Sequence, residues 1–159
     1  MAEYAFESKP AIIEQNKGLT LRIALIGAVI GLLTWMLAYG LQRYVLATLF
    51  CDNDTICQSS IDYAGAISIV VTAVIAVVVL VRSLVYRPLL IVLAATVSLW
   101  GITSWLSGLS ILEQAGWIAL LFALAYSAYA WLARVRNVVV MLILVALLAI
   151  ASRVIPMML

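Results

Sequence analysis

Cys51 and Cys57 are the only cysteines in the chain. Five residues separate them, CDNDTIC, a spacing across which a disulfide is sterically feasible. Two chemistries fit such a pair. The first is a structural staple. The second is thiol–disulfide exchange, but catalytic pairs are typically CxxC and need a redox partner, either a second pair or a quinone site. No second pair exists. The staple is therefore the favoured reading, with exchange and free thiols as alternatives.

Asp52, Asn53 and Asp54 fall inside the same loop. A calcium loop needs six or more oxygens from regularly spaced ligands, and three neighbours do not supply them. The segment reads as a solvated acidic loop. Asn53-Asp54-Thr55 also matches a glycosylation sequon, which matters only in a eukaryotic secretory pathway.

The remaining carboxylates point to capping. Ser59 precedes Asp62 and Ser110 precedes Glu113, each at the spacing of a capping box. A helix N-terminus stabilises a negative charge there. No carboxylate falls in the middle of an apolar run, where proton-coupled pumps place them. The chain has no histidine, so the usual proton shuttles, haem ligands and His-based metal sites are missing. Ser104 and Ser107 have no base beside them to make a nucleophile. No cofactor and no metal site is expected.

What must position these residues is a set of apolar runs. Hydrophobic residues make up 67% of the 159 positions and charged residues 10%. Soluble domains carry about 25% charged residues, so this composition cannot cover a water-soluble globule. Between Arg22 and Arg43 lie 20 uncharged residues. As a helix they measure about 30 Å, the thickness of a bilayer's hydrocarbon core. Four more such runs follow. The expected fold is all-α, a polytopic transmembrane helix bundle of five spans: about 21–44, 60–81, 88–106, 111–133 and 137–155. Residues 1–18 form a tail and 19–159 a single domain.

The tail is polar and mixed. It forms either a short interfacial helix over 10–17, ended by Gly18, or a loose segment whose Tyr4 and Phe6 touch lipid headgroups or a partner. Glu3, Glu7 and Glu14 against Lys9 do not make a basic signal-peptide start, and the first apolar run is too long for one. The bulky Phe50 before Cys51 argues against a lipoprotein site. Pro88 suits the first turn of span 3, and Pro156 is expected to end span 5. Span 5 has only 16 uncharged residues before Arg153, whose long side chain can snorkel to the surface.

Small residues recur along several spans. Gly27 and Gly31 form a GxxxG pattern in span 1. Ala64, Ser68, Thr72 and Ala76 form a four-residue stripe in span 2, and Ala115, Ala119, Ala123 and Ser127 another in span 4. Such faces let membrane helices approach closely. Tyr39, Tyr44, Trp100, Trp105, Tyr126, Tyr129 and Trp131 suit the interfacial belts at span ends. No pattern marks a quinone or lipid pocket between spans 3 and 4.

Basic residues set the orientation. With the N-terminus inside, Lys9, Lys17, Arg22, Arg82, Arg87, Arg134 and Arg136 lie inside, and Arg43 and Arg153 outside. This bias puts the N-terminus in the cytoplasm and both the C-terminus and the cysteine loop outside, most simply in a bacterial cytoplasmic membrane. Scattered basic residues do not make a nucleic-acid surface. The partners expected are the lipid bilayer and a membrane protein or further copies of the chain. The function expected is a non-enzymatic subunit, scaffold or assembly factor working through helix packing. The alternatives are an oligomeric transporter or channel for a neutral or lipid-like substrate, and outer-face thiol–disulfide exchange.

The staple reading makes a direct prediction. Cys51→Ser should lower stability by about 2–3 kcal/mol, read as a fall in the thermal midpoint in detergent under non-reducing conditions. An unchanged midpoint with lost thiol-exchange activity would favour the redox reading instead.

Overall fold

Helices account for most of the described residues because a backbone in lipid has no other way to satisfy its own N–H and C=O groups. The computed structural model describes residues 17–46, 48, 54–83, 85, 87–106, 108–135 and 137–158. Among them no β-strand forms. In order the elements are α1 (Lys17–Gly40), a π-helical turn (Leu41–Leu46), α2 (Asp54–Arg82), α3 (Pro88–Ser98), α4 (Ile102–Trp105), α5 (Ile111–Leu132) and α6 (Val138–Met158). Three stretches are long and apolar enough to cross a membrane: Gly18–Leu46, Ser60–Arg82 and Ile111–Leu132.

The elements depart from the sequence-based expectation in four places. Gly18 lies within α1 and does not end a helix. A single helical glycine costs only about 1 kcal/mol. The second long helix starts at Asp54, so Ser59 is not its N-cap, and Ser59 and Asp62 lie inside it. No glycine or proline stands between Asp54 and Tyr63 to stop the helix. Span 3 is broken: α3 ends at Ser98, and Gly101 takes a φ of 82°, a left-handed conformation that glycine adopts at no steric cost. Finally, α6 runs through Pro156 to Met158. Pro156 leaves the carbonyl four residues before it without its backbone partner and crowds it, and the helix runs only two residues further.

The core is a trio, with α1 antiparallel to both α2 and α5. The α1–α5 pair makes the most extensive contact in the molecule and α1–α2 the next. Both depend on small residues. A Cβ added at Gly27 would stand 2.9 Å from the Phe122 carbonyl oxygen and 3.1 Å from the Cα of Ala123. One added at Gly31 would stand 3.0 Å from the Ile118 carbonyl and 3.1 Å from the Cα of Ala119. The two backbones therefore touch. Ile23, Ile30, Ile118, Phe122 and Tyr126 fill the remaining space and are fully buried. Phe122 and Tyr126 lie nearly parallel, with ring centroids 6.3 Å apart.

Around this trio, α3 packs against α2, α5 and α6. Its buried face is Ile91, Val92, Ala94, Ala95 and Ser98, while Leu89, Leu93 and Val97 point outward one turn apart. Arg87 caps α3 with a φ of 54°. Pro88 pushes the residue before it out of the right-handed helical region, and here the chain takes the left-handed one. The Arg87 guanidinium donates to Met141 Sδ at 2.9 Å, which ties the start of α6 to the start of α3. Arg134, after α5, donates to Thr20 Oγ1 at 2.7 Å and ties that end of α5 to α1.

Gly31→Val should lower the thermal midpoint in detergent, corresponding to about 1–3 kcal/mol of overpacking. Gly116→Ala, on α5 with nothing within 4 Å of the added carbon, should leave it unchanged. Equal behaviour of the two variants would mean that α1 and α5 do not meet through Gly31.

Candidate functional site

The two long helices paired with α1 supply most of the polar chemistry, because the hydroxyls on their inner faces have no water to bond. Ala64, Ser68, Thr72 and Ala76 of α2 are all buried, none more than 1% exposed. Across from them, Thr34 of α1 is equally buried. Thr34 Oγ1 and Thr72 Oγ1 are 2.8 Å apart. Each also lies 2.8 Å from a carbonyl of its own helix, Ile30 and Ser68 respectively. Each hydroxyl has one proton, so one threonine bonds its own carbonyl while the other donates across to its partner. The bond thus has two equivalent settings. Ser68 Oγ, one turn away, is buried with no hydrogen-bond partner. A second buried pair, Ser98 Oγ with Tyr129 Oη, joins α3 to α5.

At the end of the bundle where α1 finishes, the packing opens into a cleft of about 200 Å³ between α1, α2, α4 and α5. Trp35 and Tyr39 are stacked, with centroids 5.9 Å apart and planes 19° apart, and both line it. One turn further on, the Arg43 guanidinium donates to Tyr39 Oη at 2.9 Å. Arg43 belongs to the π-helical turn, which also carries Gln42, a further lining residue of the cleft. The opposite side holds Thr103, from α4, and Gln114, from the first turns of α5. Thr103 is seated against the Cα of Gly65, where an added methyl would collide with its hydroxyl. Gln114 donates through Nε2 to the Leu109 carbonyl at 3.1 Å. Ile61, Ala64, Ile111 and Ile118 complete the walls.

Of the residues singled out in the sequence, Gly27 and Gly31 meet Ala119 and Ala123 in one contact. Ala115 and Ser127 extend that stripe, half-buried, along α5. The stripe of α2 faces the bundle interior. Ser110 and Glu113 form a box at the start of α5: the carboxylate accepts from the Ser110 backbone N–H at 3.1 Å and from its hydroxyl at 2.8 Å. Asp62 is exposed on α2. Cys51 and the Cys57 side chain lie outside the described residues, and so does the proposed disulfide. So do residues 1–16 of the tail, and with them most of the expected interfacial helix. Among the described residues no three His, Cys, Asp or Glu side chains come together.

Sequence reasoning missed Thr34 and the cleft. A trace was present in Trp35, Tyr39 and Arg43, spaced four apart, and in two glutamines at the edges of apolar runs. Nothing in the sequence marked Gly101 as a break rather than one more membrane glycine. Comparison with protein-family models, with curated proteins and with solved structures finds no match.

The threonine pair can be weighed by a double-mutant cycle. Thr34→Val and Thr72→Val should each destabilise the protein and show a coupling of about 0.6 kcal/mol, the usual size for hydrogen bonds between membrane helices. Ser68→Ala should cost nothing or raise the midpoint, since it removes an unpaired buried hydroxyl. Zero coupling would mean that the two hydroxyls do not bond.

Proposed function

We propose that this protein is a small, non-enzymatic integral membrane subunit, scaffold or assembly factor, working in contact with a membrane-protein partner. It crosses the membrane five times, through α1, α2, the broken α3–α4 segment, α5 and α6. The N-terminus is inside, and the C-terminus and the Cys51–Cys57 loop are outside. A bacterial cytoplasmic membrane suits its short turns and the distribution of Arg82, Arg87 and Arg134 at one end of the bundle.

One observation carries the reading. The small-residue faces are consumed inside the chain, α1 against α5 and α1 against α2, and they build a tight core. By contrast α6 is held by few contacts. Met141 is its one fully buried hydrophobic side chain among those described, while Val139, Leu142, Ile143, Leu147 and Ile150 turn outward. A helix so lightly held supports a role in which it meets the helix of another protein. The helix contacts expected from the sequence therefore serve the chain's own fold, and α6 is the better candidate for contact with a partner.

A second reading, an oligomeric transporter or channel for a neutral or lipid-like substrate, is favoured by the break at Leu99–Gly101. Irregular backbone at membrane depth belongs where it is buried in protein or lines a cavity.

Purification through an N-terminal tag in mild detergent separates the two. The subunit reading expects a partner in fixed stoichiometry, crosslinked through photoreactive residues placed at Leu142 or Leu147. Recovery of homo-oligomers alone, with flux from the pure protein in vesicles, would replace it with the transport reading.

A further inference from the structure

Two irregularities in an otherwise α-helical backbone converge on one place. The π-helical turn after Gly40 carries Gln42, and the break at Gly101 delivers Thr103. Both side chains line the same cleft. π-turns cost hydrogen-bond quality and occur frequently at functional sites. A helix break inside a bundle also costs backbone bonds, and it persists where the freed backbone serves a cavity.

We propose that this cleft is a binding site for an uncharged carbonyl-bearing ring carried on an apolar tail, the chemistry of a quinone head group. The site requires neither the partner nor the transport activity proposed above. Its size sets the first limit. A volume of about 200 Å³ is below that of drug-sized pockets and matches one substituted ring. Its walls set the second. Trp35 and Tyr39, already parallel, present a flat aromatic surface, and Ile61 and Ile118 are apolar. A second flat ring stacks on such a surface in the offset geometry that aromatic pairs prefer.

The polar groups set the third. Arg43 donates to Tyr39 Oη, so the phenol's own proton remains available to a ligand. The Gln42 amide and the Thr103 hydroxyl make no hydrogen bond among the described residues. Gln114 spends a donor on Leu109. Donors from Tyr39, Gln42 and Thr103, with the second N–H of Gln114, therefore remain beside the aromatic pair, which is what carbonyl oxygens on a ring require. None of the lining residues is charged. The nearest cation, Arg43, is exposed at the rim and engaged with Tyr39 Oη, so an anionic head group seated among the lining residues would lose hydration without a direct counter-ion, whereas a neutral carbonyl would not.

The test uses the full chain in lipid nanodiscs, titrated with a decyl-substituted dimethoxy-methyl-benzoquinone, and reads tryptophan emission. Quinones quench tryptophan on contact, and Trp35 is one of five tryptophans in the chain. The expected result is a saturable quenching component that disappears in Trp35→Phe. In the Gln42→Leu/Thr103→Val double variant its half-saturation concentration should rise about tenfold, since two neutral hydrogen bonds are lost. Gln42→Glu, at a half-exposed position that tolerates the change, should weaken binding similarly by placing a charge beside the ring. It serves where the double variant does not fold. Monodecanoylglycerol, with hydroxyls and a tail but no ring, should not compete. Quenching that stays linear with concentration, a half-saturation unchanged in both Gln42 variants, or equal competition by monodecanoylglycerol would each overturn the proposal.

Discussion

Backbone contact between α1 and α5 is the constraint on which the rest depends. It exists because Gly27 and Gly31 remove the side chains that would separate the two helices. Helices in lipid gain nothing from hiding apolar surface from one another, since the tails are equally apolar. Their association rests on close packing and on polar bonds. A pair of glycines opposite Ala119 and Ala123 gives the closest packing available. Once α1 is fixed against α5, its other face is presented to α2, and Thr34 meets Thr72. The ends of the trio are then tied by Arg134 to Thr20 and by the walls of the cleft.

The same constraint explains where the irregular backbone lies. The trio packs tightly along its middle, where Ala64, Ser68, Thr72 and Ala76 leave no room for large side chains. Toward the end of α1 the small residues give way to Trp35, Tyr39 and Gln42, and the helices must separate. The π-helical turn and the short α4 helix sit at that separation. Thr103 reaches the opening only because Gly65 lets α4 lie directly on α2. One glycine contact holds the core shut, and another lets the opening be lined.

Much of this was legible in the sequence, for a physical reason. Apolar composition over about 20 residues forces a helix, so the long helices and the span from Ile111 to Leu132 could be read directly. The stripe of α2 could be read because a period of four residues places small side chains on one face. What a face touches could not be read. Gly27 and Gly31 meet α5 and not another protein, a fact set by three-dimensional neighbours rather than by spacing. Helix ends failed where the deciding force was not local. Ser59 and Asp62 have the spacing of a cap, but no breaker precedes them, and the helix continues back to Asp54. Gly101 looked like any membrane glycine, yet it takes a positive φ two residues after the Leu99 cap, in the break between α3 and α4.

The broken third segment has a consequence for the lipid. Its outward stripe of Leu89, Leu93 and Val97 ends at the exposed Trp100. With 11 residues, α3 is about 16 Å long, while α1, with 24, is about 36 Å. The molecule therefore presents two hydrophobic thicknesses on different sides. A bilayer in contact with α3 alone would meet an apolar stretch shorter than its hydrocarbon core, and mismatch of that kind costs fractions of a kcal/mol for each ångström. Lipids along α1 meet a full-height wall. A bilayer around the molecule would thus meet helices of unequal length, α3 and α1, on different sides.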